Sequence, residues 1–185
     1  MTDPSAQAAF GQKLSDSARE LANATVTTLK HGTTVHPATA IAACARMAGT
    51  LMFRTFNVSL PGLQPGQAVL SQDATAQGDM LMRVTANILA NLKVTLPAAP
   101  PSDDGNPNLR PTLDFLTTQR RLEPVFQPIL NRFEFTPVQA AQASAVAAAL
   151  LIHHFAKHVD PAVGFRLATH AIVEGCKTAP DPIRH

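Results

Sequence analysis

Apolar residues recur at three- and four-residue steps along most of this chain, and that period predicts helices. Phe10, Leu14, Ala18, Leu21, Thr25 and Leu29 draw one stripe through a first helix, from about Ser5 to Lys30. Gln12, Lys13, Asp16, Arg19 and Glu20 fill its other side. Gly32 supplies a stop, as glycine just past a helix end commonly does. A second helix opens at His36-Pro37, because proline at the first helical position gives up only a donor that has no intrahelical partner. Its body, residues 38 to 56, is apolar nearly all round through Ile41, Cys44, Met47, Leu51, Met52 and Phe53. Such a helix wants neighbours on every side. Ala38, Ala42, Ala45 and Gly49 are small enough to let one of them come close.

Leu60 to Gly66 is a turn-rich loop, and Gln67 to Gln72 reads as a brief extended piece short of a true strand. Asp73 suits the cap of a third helix reaching about Val94, with Leu81, Val84, Ile88 and Leu92 as its buried stripe. Five prolines from Leu96 through Pro111 rule out a regular element there and predict a surface loop. A fourth helix runs from Pro111 to about Phe133, with Pro124 and Pro128 expected to kink or split it. Thr136, Pro137 and Gln139 combine a cap, a first-position proline and a capping box. They start a fifth helix extending to about Val159. Asp160-Pro161 repeats the cap-then-proline device for a sixth, ending near Gly175 or Lys177, and Pro180 to His185 reads as a loose tail. The expectation is an all-α globular bundle of about six helices. Residues 1–185 form one domain, the second helix lies inside between the third and fifth, and the 96–111 loop crosses the surface.

Composition changes this picture in one respect. The 185 residues are 45% apolar and only 15% charged, against a usual quarter or so. A chain so poor in charge hides much of its surface, and a homodimer through small-residue helix faces is the expected way to do it. The net charge of +2 is too even to argue for nucleic acid or an anionic membrane. Trp and Tyr are absent, so no aromatic platform interleaves with basic residues. The longest apolar run, 145–152, is about half a membrane span. The start of the chain lacks a basic n-region and an apolar h-region, and the two cysteines are far apart. Cytoplasmic location with reduced thiols is the expectation.

No motif of high specificity names a reaction or a cofactor. Glycine-rich phosphate loops, a GxSxG elbow and the Glu-x-x-His pairs of a di-iron bundle are all missing. What remains is a set of polar residues in an apolar chain. Arg46 and Arg54 are the only charges on the second helix, and a guanidinium cannot shed its charge. Each must meet a carboxylate, with Glu174, Asp114, Glu134 and Asp79 as candidates, or carbonyls, or reach out to solvent, or face an acidic ligand. His154 and His158, four apart, would share a helix face as two metal ligands would. Without further ligands they and His153 read instead as complements to a helix dipole, and no metal is expected. Arg166, His170 and Glu174 step by four along the sixth helix and form a polar ladder. Cys44 reads as a core residue, whereas Cys176, beside Lys177, is expected near the surface. Two functions fit these residues. One is a helical protein-interaction or self-associating module without catalytic machinery. The other is a pocket for a small acidic ligand inside the bundle, served by Arg46 or Arg54 with His154, His158, His170 and Glu174.

Overall fold

A computed structural model describes residues 4–56, 62–69, 72–96, 106 and 109–182. Six helices follow one another: α1 (Pro4–Leu29), α2 (Pro37–Phe53), α3 (Gln72–Asn91), α4 (Phe115–Arg132), α5 (Pro137–His154) and α6 (Pro161–Lys177). The chain is an all-α globular bundle, and α2 is its centre. Every residue from Ala38 to Phe53 is buried except Arg46. Most of the 96–111 loop lies outside the described residues.

The partners of α2 differ from expectation. They are chiefly α6 and α5, while α3 sits outside, against α5 and α6. The cause is a glycine pair. A Cβ at Gly49 would stand 2.4 Å from the Ile172 carbonyl oxygen, and one at Gly175 would stand 2.4 Å from that of Arg46. These contacts are backbone against backbone, so only the absence of both side chains lets the helices meet so closely. Hydrophobic periodicity cannot reveal that pairing, because glycine adds nothing to a stripe.

The buried face of α3 is turned by about one residue from the expected one. Ala74, Gly78, Leu81, Thr85 and Leu89 face inward, while Val84, Ile88 and Leu92 are half-buried. Small residues let α3 lie flat on its neighbours, and the Thr85 hydroxyl donates within reach of the Leu81 and Ala145 carbonyls at 3.1 and 3.3 Å. Asp73 lies inside the first turn of α3 and not at its cap. The helix closes after Asn91 with Lys93 in the left-handed region at φ 62°. Val94 N–H bonds the Leu89 carbonyl and Lys93 N–H that of Ala90, the paired closure of a Schellman motif.

The fourth helix starts later than expected and is not split. Asp114 caps it by accepting from Thr117 N–H, so Pro111 lies outside. Pro124 and Pro128 both sit within the continuous helix, four residues apart on its exposed side. The carbonyls they leave without donors therefore face water. Leu122, Phe126 and Leu130 bury the opposite side. The Thr136–Gln139 capping box forms as read, and Asp160 caps α6 by accepting from Ala162 N–H.

The segment after α6 is not loose over its described part. Val69 N–H donates to the Lys177 carbonyl (2.6 Å), Gly66 N–H to that of Ala179 (2.8 Å), and Ala179 N–H to that of Gln67 (2.9 Å). An isolated antiparallel bridge joins Ala68 to Thr178. The brief extended piece near residue 68 thus finds its partner in the chain beyond α6.

Among the described residues, no single helix is long and apolar enough to cross a membrane. Together α4 and α5 reach the length and composition of a span, but they bend by 116° where they join.

Candidate functional site

The six residues singled out from the sequence fall into different places. Arg46, His170 and Glu174 come together at one groove, Arg54 lies beyond the far end of α2, and His154 and His158 stand apart from both.

The groove, of about 350 Å³, opens between α2, α6 and residues Asn106 and Leu109 to Pro111. Arg46 and Ala42 form its α2 wall. Arg166, His170 and Glu174 line its α6 wall, with Arg110 and Pro111 opposite. The expected ladder of Arg166, His170 and Glu174 therefore borders this space. Small residues make the room, since Ala42 and Ala171 present only methyl groups to it. Arg46 reaches across to Glu174, Nε to Oε2 at 2.5 Å. Its Nη1 donates to the Leu113 carbonyl at 2.6 Å and stands 3.4 Å from Thr118 Oγ1. The guanidinium is largely buried, at 12% exposure, while Glu174 is 40% exposed. Of the expected carboxylate partners Glu174 is the one that pairs. Asp114 stays at the cap of α4, where hydrogen bonds from Thr117 hold its carboxyl below the ordinary aspartate value.

Arg54 is the C-cap of α2. It pairs with Glu123 of α4, Nη2 to Oε1 at 2.7 Å, both side chains being under a fifth exposed. Glu123 is not among the partners expected from the sequence. The same Nη2 donates to the Asp181 carbonyl at 2.9 Å. Arg54 Nε is buried with no hydrogen-bond partner among the described residues.

His154 and His158 do not share a helix. The fifth helix ends at His154, earlier than Val159, with Phe155 as its C-cap. His158 lies in the turn that follows, where its backbone N–H bonds the Phe155 carbonyl. Both imidazoles are exposed, and the His154 ring packs edge-on against Phe155. Leaving the helix removes the regular four-residue spacing on which the shared face depended. Among the described residues no group of three or more His, Cys, Asp or Glu gathers as a metal site would.

Cys176 corrects another expectation, since it is fully buried beneath α3. Burial pushes its thiol up to about 12, as it does that of Cys44. Neither is poised as a nucleophile. Sequence reasoning also missed Gln119, a buried amide in the stripe of α4 that binds the chain beyond α6. A polar residue where Phe115, Leu122 and Phe126 set an apolar pattern was the available signal. No protein-family model matches the chain, and neither a curated protein nor a solved structure matches it.

Proposed function

We propose that the groove between α2 and α6 binds a small anionic ligand, a carboxylate or a phosphate. One observation carries this reading: Arg46, Arg110, Arg166 and His170 border the same space, and among the described residues that line it the one carboxylate, Glu174, is engaged by Arg46. An anion entering there meets guanidinium groups on two walls, and a planar guanidinium donates in a fork that matches carboxylate and phosphate oxygens. His170 adds a ring N–H donor. Glu174 acts as a counter-ion that keeps Arg46 in place when the groove is empty.

Calorimetric titration with inorganic phosphate and, separately, succinate tests it. We expect saturable binding to one of the two, weakened at least about tenfold by Arg166→Met, equivalent to about 1.4 kcal/mol. Raising the salt should weaken it further through screening. Absence of saturable binding by either probe at about 10 mM, where even ligands with Kd near 1 mM would be nearly saturated, rejects the reading.

The interaction-module reading is kept as a proposal on composition: a chain only 15% charged, forming one cytoplasmic domain and pairing with a second copy. Against an apolar docking patch stands the surface itself, where Val138 is the one large apolar side chain exposed among the described residues. Native mass spectrometry reports subunit number and any retained ligand in one measurement.

A further inference from the structure

We propose that the cleft between α4, the C-cap of α2 and residues 62–69 is a peptide-binding site for an extended, proline-flanked acidic segment, and that the chain's own residues 178–182 fill it in cis.

Gln119 lies on the inward stripe of α4 with Phe115, Leu122 and Phe126, and it is 1% exposed. A buried primary amide must be hydrogen-bonded on both its oxygen and its nitrogen. Gln119 meets that need with backbone: its Oε1 accepts from Asp181 N–H at 2.8 Å, and its Nε2 donates to the Asp181 carbonyl at 3.1 Å. It thus engages one residue of an extended segment at both main-chain groups, as a neighbouring strand would. Its Nε2 is also held by Glu123 Oε2 at 2.8 Å, and Glu123 is fixed in turn by Arg54.

The remaining contacts define what the cleft accepts. Arg54 Nη2 gives the Asp181 carbonyl a second donor, and Arg120 Nε pairs with Asp181 Oδ2 at 2.6 Å. That bond and the attached charge raise the Arg120 pKa above its ordinary value. A carboxylate is therefore read at position 181. Pro180 and Pro182 flank it, and neither has an N–H to satisfy. Asp181 is consequently the only donor between Ala179 and the end of the described chain, and Gln119 takes it. On the opposite side Ala179 is paired at both main-chain groups with Gly66 and Gln67. Its methyl group is buried with Phe53 and Val69 in a small cluster separate from the main core. The segment is gripped by a strand-like edge, an amide and two guanidiniums, with little apolar burial of its own. Backbone-directed, charge-assisted grips of this kind suit a detachable peptide more than a permanent core element.

The test uses the full chain with its own segment disabled by Ala179→Pro and Asp181→Pro, which remove the two backbone donors and the carboxylate. The probe is a fluorescent peptide spanning residues 177–182, blocked at both ends, followed by anisotropy. Saturable binding to the disabled chain is expected. Binding to the native chain should be at least about tenfold weaker, because the tethered segment competes at high effective concentration. Asp→Ala in the peptide, or Gln119→Leu in the chain, should each weaken binding at least about tenfold. No saturable binding to a disabled chain that keeps its helical circular dichroism overturns the proposal. Should that chain fail to fold, hydrogen exchange on the native protein decides. Ala179 and Asp181 amides are expected to exchange at least about tenfold faster than the slowest amides of α2. Exchange at the α2 rate makes the segment an integral part of the fold and ends the idea. Neither result depends on the anion groove.

Discussion

Arg46 and Arg54 stand two turns apart on the same buried helix and carry the same charge, yet they are neutralised in different ways. Arg46 reaches the rim of an open groove and pairs with a glutamate that keeps 40% of its surface in water. Arg54 caps the end of α2 and pairs with a glutamate only 16% exposed, under a strap of chain. The first carboxylate can lose its partner and remain hydrated. The second cannot, because its surroundings offer it little water. Identical residues on one helix thus serve an adaptable site at one end and a fixed clasp at the other. The lesson is that the exposure of the partner, more than the arginine's own burial, decides what the charge can do.

Four measurements break or sharpen this contrast. The largest effect belongs to Gly49→Ala, which strikes between the two arginines. Its new Cβ would meet α6 backbone at 2.4 to 2.7 Å, so the helices must separate and both ends suffer. We expect a loss of about 3 kcal/mol or more in denaturant unfolding. A loss below about 1 kcal/mol would mean that α2 and α6 are not so closely seated.

Arg54→Met comes next, at about 2 to 3 kcal/mol, since it leaves Glu123 poorly hydrated and without its partner. The double variant Arg54→Met/Glu123→Gln should recover part of that loss, a coupling that a double-mutant cycle reads directly. Arg46→Met should cost only about 1 kcal/mol of stability, because Glu174 relaxes into solvent. It should nonetheless weaken anion binding at the groove. Equal stability losses for the two arginines would dissolve the comparison.

The effect that vanishes at neutral pH is a pH dependence in alkali, from Cys44 and Cys176. Their folded-state thiols are pushed by burial from 9.0 up to about 12. The unfolded chain therefore loses these protons first, near its ordinary thiol pKa, and binds fewer protons than the native state above it. Stability should be unaffected by the thiols below pH 9 and decline as pH rises from about 9 towards 12. A Cys44→Ala/Cys176→Ala chain should show a shallower decline over that range in thermal unfolding. An unchanged slope would place the thiols in contact with water.

Much of the architecture was legible in the chain. The apolar girth of residues 38–53 required a central helix, and His36-Pro37, Thr136-Pro137 and Asp160-Pro161 marked three helix starts that the structure reproduces. These features are local: a cap satisfies donors within three residues, and a helical period repeats within a few turns. Three of the six singled-out residues, Arg46, His170 and Glu174, share the groove, because an arginine with few neighbouring charges has to find a distant carboxylate.

Tertiary structure decided the rest, for reasons a one-dimensional pattern does not encode. Pro124 and Pro128 did not break α4, because their missing donors point to water while the opposite face is held by packing. The partner of α2 was set by Gly49 against Gly175, residues separated along the chain and silent in any hydropathy pattern. Gln119 and Asp181 meet only because α4 and the chain beyond α6 are folded onto each other. The sequence by itself determined where helices form and which one must be inside, since those follow from local hydrogen bonding and hydrophobicity. Which helices touch, and which charge stays wet, follow from close packing in three dimensions.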